Sequence, residues 1–156
     1  MRDLHALIIG AGIGGLTAAL ALQRAGCRVS VYEQVAELGE IGAGVTITPN
    51  ACHVLNHLLG RTVVDDICHV PLSGAVKHYQ TGETLVDTER GDLPRQKYGA
   101  NYCQVHRADL HAALAAAVAE NDPDCLHVDS SFATLEESDH GIAAIFSNGL
   151  RQAALK

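Results

Sequence analysis

Residues 4–33 read LHALIIGAGIGGLTAALALQRAGCRVSVYE: an apolar run, a glycine knot, a run of helix formers, and a second apolar run ending in an acid. That order predicts strand, tight turn, helix, strand. Gly10, Gly12 and Gly15 fall at G-x-G-x-x-G spacing, where the strand ends and the helix begins, which is the context a dinucleotide-binding turn requires. Gly10 lets the chain bend where a Cβ would clash, Gly12 lets the backbone approach a pyrophosphate, and Gly15 lets the helix lie close on the strand. The N–H groups of residues 12–15 then point at an anion. Glu33, at the tip of the second strand, offers a carboxylate to the hydroxyls of an adenosine ribose and would repel a 2′-phosphate. The bland alternative, chain-breaking glycines beside an ordinary exposed acid, leaves the register of strand, helix and acid unexplained.

A length of 156 residues matches one domain with a core of ordinary size. With 47% hydrophobic and 19% charged residues the chain belongs among soluble globular proteins. Eighteen acids against eleven bases give a net charge of -7, and the absence of a basic cluster argues against nucleic acid as a partner. No apolar run approaches the roughly eighteen residues that span a bilayer, and the N-terminus has no secretory signal order, so a cytoplasmic protein without membrane attachment is expected. The five cysteines, Cys27, Cys52, Cys68, Cys103 and Cys125, are odd in number and lack a C-x-x-C, which predicts reduced, mostly buried thiols.

Farther along, the first helix is so rich in Leu and Ala that it is expected to be covered on most sides. A second glycine-rich stretch, Gly39 to Ile47, reads either as a flexible loop or as backbone approaching a second part of a long cofactor through Gly42, Ala43 and Gly44. Thr48-Pro49-Asn50 starts a helix with a hydroxyl cap, Ala51, Leu55, Leu58 and Leu59 face the core, and Gly60 ends it. His53 and His57, a turn apart with Cys52 and Asn56 nearby, lack a third ligand at a recognisable spacing and read as a solvated face, so no metal site is assigned. A helical turn is predicted over Val63–Ile67, a hairpin over Gly74–Tyr79 and Thr84–Thr88, and a loop over Glu89–Lys97. Tyr102–Val105 is a short strand, and a helix follows from His106 to the stop at Pro123, with Leu110, Leu114, Ala117 and Val118 on one face. Arg107 sits at that helix's N-terminal edge, where the dipole disfavours a cation, so it is either a functional residue or a surface arginine paired with an acid. Cys125–Asp129, Phe132–Leu135 and Ile142–Phe146 read as a β-meander whose last element, LRQAALK, is cut short.

Taken together, Gly10-Ala11-Gly12-Ile13-Gly14-Gly15-Leu16 with Glu33, Glu40-Ile41-Gly42-Ala43-Gly44-Val45 running into Pro49-Asn50-Ala51, and His106-Arg107-Ala108-Asp109-Leu110 resemble the FAD-binding part of the flavin-dependent aromatic hydroxylases, most of all the salicylate hydroxylase and 3-hydroxybenzoate 6-hydroxylase branch. The resemblance covers nearly the whole chain. It implies a Rossmann-like α/β fold with a parallel sheet, a β-hairpin insertion over residues 73–98 on the substrate side, and a C-terminal meander, all within one FAD-binding domain spanning residues 1–156. It implies that Gly10, Gly12, Ile13, Gly14 and Gly15 hold the FAD pyrophosphate, Glu33 with Gln34 the adenosine ribose side, Ala43, Gly44 and Val45 the flavin end, and that Arg107 contacts FAD. NADH or NADPH would be the electron donor and a small aromatic acid the substrate of the complete enzyme. The Asp-Gly motif, the later Gly-Asp motif and the substrate-covering sheet of such enzymes do not occur in this sequence. The chain is therefore expected to be incomplete, to lack a catalytic acid or base of its own, and to release hydrogen peroxide in place of hydroxylated product. The competing readings are a stand-alone NAD-binding module and a degenerate fragment that binds nothing. Oligomeric state is not readable from the sequence.

Overall fold

A computed structural model describes residues 4–39, 43–138 and 141–155. In chain order the elements begin with β1 (His5–Ile9), α1 (Ile13–Arg24), β2 (Arg28–Tyr32), β3 (Gly44–Ile47), α2 (Pro49–Leu59), α3 (Arg61–Ile67), β4 (Cys68–His69), β5 (Ser73–Lys77) and β6 (Thr84–Glu89). They continue with α4 (Leu93–Tyr98), β7 (Cys103–His106), α5 (Arg107–Asn121), β8 (Leu126–His127), β9 (Phe132–Ser138), β10 (Gly141–Phe146) and β11 (Arg151–Leu155). The chain divides into two units: Met1–Glu40 with Leu110–Lys156, and Ile41–Asp109.

In the first unit β1 and β2 pair in parallel, Ile9 opposite Tyr32, with α1 as the crossover, the Rossmann-like arrangement expected from residues 4–33. Leu16, Ala19 and Leu20 of α1, Val29 and Val31 of β2, and Leu114 and Val118 of α5 are buried; each fully covered Leu or Val contributes about 1.5–3 kcal/mol. Gln23 Nε2 donates to the Val118 carbonyl at 3.2 Å, tying α1 to α5. The cover is narrower than expected, since Ala18 of α1 and Ala25 just after it are exposed.

Two expectations for the C-terminal strands are corrected. Only Leu126–His127 of the predicted 125–129 strand forms, and it joins the parallel sheet as β1-β2-β8. The cause is the open edge of β2, whose Val31 and Glu33 amides donate to the Cys125 and His127 carbonyls at 2.7 and 2.8 Å. The meander is instead β9-β10-β11, with Arg151–Leu155 pairing along β10 from Ile145 to Gly141, so its third strand is present. Tyr32 stacks on His127 at 4.6 Å and meets Phe146 at 4.4 Å, joining parallel sheet to meander through aromatic contact. Of the turn expected over 138–141, residues 139 and 140 lie outside the described residues.

In the second unit β7 is the centre of a three-stranded antiparallel sheet, β3-β7-β4, and β5 and β6 form the expected hairpin. Gly44–Ile47 of the second glycine-rich stretch is thus a strand rather than a loop, while residues 40–42 lie outside the described residues. The helix starting at Pro49 forms as expected, but the Thr48 hydroxyl donates to Asn50 Oδ1 at 2.6 Å instead of capping the backbone, and Cys52 turns inward. Leu93–Tyr98 is helical where a loop was expected. Pro94 falls in the first turn, where its missing N–H costs nothing, Arg95, Gln96 and Lys97 favour helix, and Gly99 closes it at φ 76°.

Candidate functional site

The bend after β1 is kept clear by what is absent from it. Gly10 takes φ 97°, a conformation that favours glycine, and its amide donates to the Tyr32 carbonyl at 2.7 Å, pinning the bend to β2. A Cβ built at Gly10, Gly12 or Gly14 would meet no atom within 4 Å, so the space beside the backbone is clear. At Gly15 a Cβ would land on the Gly10 carbonyl oxygen and 3.3 Å from Ile8 Cγ2; only glycine lets α1 start this close to β1. Helix α1, which opens with Ile13, has neither a side-chain cap nor an acid in its first turn, so its positive end faces outward without neutralisation from its own first turn.

Glu33 closes the other side of this bend. Its Oε2 accepts the Ala11 amide at 2.7 Å and its Oε1 the Val35 amide at 3.2 Å. Partial burial pushes its pKa up, but the Ala11, Val35 and Gln34 amides and the nearby His111 outweigh burial and hold the carboxyl below its ordinary value. Each carboxylate oxygen keeps a second lone pair for an outside donor such as a sugar hydroxyl. Gln34 takes part through its backbone, and its side chain is exposed.

His111 was not singled out in the sequence. It is 6% exposed, and its Nε2 donates to the Ala11 carbonyl at 2.7 Å. The Ala11 residue, 2% exposed, is thereby gripped by Glu33 on its N–H and by His111 on its C=O. The available signal was a polar residue on the Leu110–Leu114 face of α5, where a buried imidazole requires a partner.

The remaining predicted residues meet one another in the second unit. The Arg107 amide donates to the Ala43 carbonyl at 2.9 Å, and Gly44 stands opposite His106 across β3 and β7, with Val45 opposite Val105. Arg107 is exposed at the first turn of α5, and Asp109 in that turn offsets the unfavourable placement of a cation. The structure thus groups Gly10–Gly15 with Glu33 in one unit, and Ala43–Val45 with Arg107 in the other. A cleft of about 720 Å³ in the second unit is lined by Leu72, Arg90, Arg95 and Asn101 and includes none of these residues. Among the described residues no cluster of metal ligands occurs; His53 Nε2 donates to the Tyr98 carbonyl at 2.8 Å.

Residues 8–57 match the NAD(P)-binding Rossmann-like domain family. The chain is 32% identical over 148 residues to 6-hydroxynicotinate 3-monooxygenase of Pseudomonas fluorescens, covering 94% of this chain and 37% of that protein. It is 41% identical over 127 residues to 3-hydroxybenzoate 6-hydroxylase of Polaromonas naphthalenivorans strain CJ2, covering 76% and 30% respectively. Among solved structures, Klebsiella pneumoniae HpxO complexed with FAD and uric acid is similar with a TM-score of 0.78 and 28% identity, over 97% of this chain and 37% of that one. The chain spans about a third of the length of the relatives it matches.

Proposed function

We propose, from similarity to aromatic monooxygenases and to an FAD complex over about a third of their length, that the chain is the FAD-binding portion of an NAD(P)H-dependent monooxygenase that hydroxylates a small aromatic acid. The observation that carries this reading is the Glu33–Ala11 bond, which sets a carboxylate beside a bend of unobstructed backbone at a helix start. Those are the two halves of a site for a sugar joined to a diphosphate. The residues fit FAD. Gly12, Ile13, Gly14 and Gly15 hold the pyrophosphate through backbone amides, Gly10 makes the bend that presents them, and Glu33, with Gln34 at its shoulder, accepts from the adenosine ribose. Ala43, Gly44 and Val45 present strand backbone to the flavin end, and Arg107 contributes the positive charge. The chemistry FAD supplies when bound is hydride acceptance from NADH or NADPH followed by oxygen activation; this chain's own residues bind and orient.

The protein works in the cytoplasm, residues 73–98 belong to the substrate side of a single FAD-binding domain, and the chain is inactive as a hydroxylase by itself. Reconstitution with FAD, followed by the visible spectrum and by parallel titrations with FAD and NAD, tests the reading. Retained flavin supports it, and Glu33→Ala then weakens FAD binding by about 1–3 kcal/mol, the cost of leaving ribose hydroxyls unpaired. Binding of NAD without FAD would favour a stand-alone nicotinamide module, and binding of neither would favour a fragment without a ligand.

A further inference from the structure

Three of the five cysteines converge in the unit Ile41–Asp109. Cys103 opens β7 and has no exposed surface, Cys68 opens β4 and is half-buried, and Cys52 lies on the inner face of α2 within electrostatic reach of both. Cys68 stands opposite Val105 in the β4–β7 ladder. Cys103, two residues before Val105, therefore shares its face of the sheet with Cys68. Their Sγ atoms lie 2.7 Å apart, with the Cys103 thiol donating to Cys68 Sγ. Both are free thiols, and no metal-binding cluster among the described residues accounts for their approach.

We propose that Cys68 and Cys103 form an oxidant-sensitive pair, a modification site at which hydrogen peroxide closes a disulfide between β4 and β7. Cys68, the accessible partner, reacts first. Its thiolate sulfur attacks one peroxide oxygen, the O–O bond breaks, and the departing hydroxide takes up a proton to leave as water, giving a sulfenic acid. The Cys103 sulfur then attacks the Cys68 sulfur, the S–O bond breaks, and the Cys103 proton leaves with the hydroxyl as a second water. Two thiols supply two electrons, and one peroxide becomes two waters. Burial raises the pKa of both thiols and keeps them protonated, so the pair answers to sustained peroxide and is slow toward traces. The chemistry of the pair does not depend on which nucleotide the glycine bend holds.

The test treats the reduced, folded 156-residue chain with hydrogen peroxide, counts thiols after denaturation, and maps alkylated peptides by mass spectrometry. The expected result is loss of two of five thiols, full recovery with dithiothreitol, and a peptide joining Cys68 to Cys103. Cys68→Ala and Cys103→Ala should each abolish that peptide, and Cys52→Ala should retain it. Five surviving thiols at a dose that oxidises a free dithiol, a Cys52–Cys103 peptide in its place, or Cys68 carried to sulfinic acid without a cross-link would each overturn the proposal. Should a variant fail to fold, the map of the unsubstituted chain decides alone.

Discussion

Val31 in β2 has no exposed surface, whereas Val86 in β6 is 51% exposed, although each sits within a strand beside other apolar residues. β2 has β1 on one edge and β8 on the other, and α1 packs against it. Among the described residues β6 pairs with β5 alone, and adjacent Leu85 and Val86, which point to opposite faces, are both exposed. The difference teaches that a strand's composition states what can be buried, and the elements around it decide what is. A two-stranded hairpin is marginal by itself, and a sheet with a helix on it is not. The carboxylate that faces the glycine bend stands at the end of the well-held strand.

Substitutions can break or sharpen this contrast. The largest effect is expected at Gly15→Ala, whose Cβ collides with the Gly10 carbonyl: a loss of about 4 kcal/mol or more in urea unfolding, against the modest cost typical of surface changes. Leu114→Ala, at a position with no exposure, should cost about 3 kcal/mol by the same measurement. His111→Leu leaves the Ala11 carbonyl without its donor and should cost about 1–3 kcal/mol, with hydrogen exchange rising at residues of the bend before it rises in β2.

Acid should act on the same place. The folded pKa of Glu33 lies below its unfolded value, so its stabilising bonds are fully present above the unfolded pKa and are lost as pH falls through the folded one. Comparison with Glu33→Gln should show a stability gap that is constant near neutrality and narrows below about pH 4. The smallest effect belongs to the hairpin: Val86→Thr should change stability by less than about 0.5 kcal/mol, and a larger loss would show that β6 is better covered than its exposure indicates.

The site's first half was legible because its residues are constrained locally. Gly10 answers a conformational demand and Gly15 a steric one within a few residues, Gly12 leaves the backbone beside them clear, and Glu33 follows at one helix and one strand's remove. His111 was hidden because its partner is a backbone carbonyl 100 residues away, and no side-chain spacing encodes that. The two-residue strands β4 and β8 carry too few positions to show a period, and what recruits them is the unfilled edge of a neighbour. Leu93–Tyr98 lies in a polar stretch with Asp92 and Pro94 that reads as a loop, although proline is tolerated in a helix's first turn. The meander's third strand was expected to be cut short, and it forms over Arg151–Leu155 because β10 offered an open ladder to pair with.

The grip on both sides of Ala11 reaches beyond the site. A residue tethered by its carbonyl oxygen to one helix and by its amide nitrogen to the acid that follows one strand is immobilised when the chain folds, so a ligand at the proposed site would meet a rigid receptor and surrender less entropy there. At the proposed site affinity and folding would thereby be thermodynamically linked. Loosening α5 against the sheet would weaken capture there even with every atom that would touch the guest unchanged.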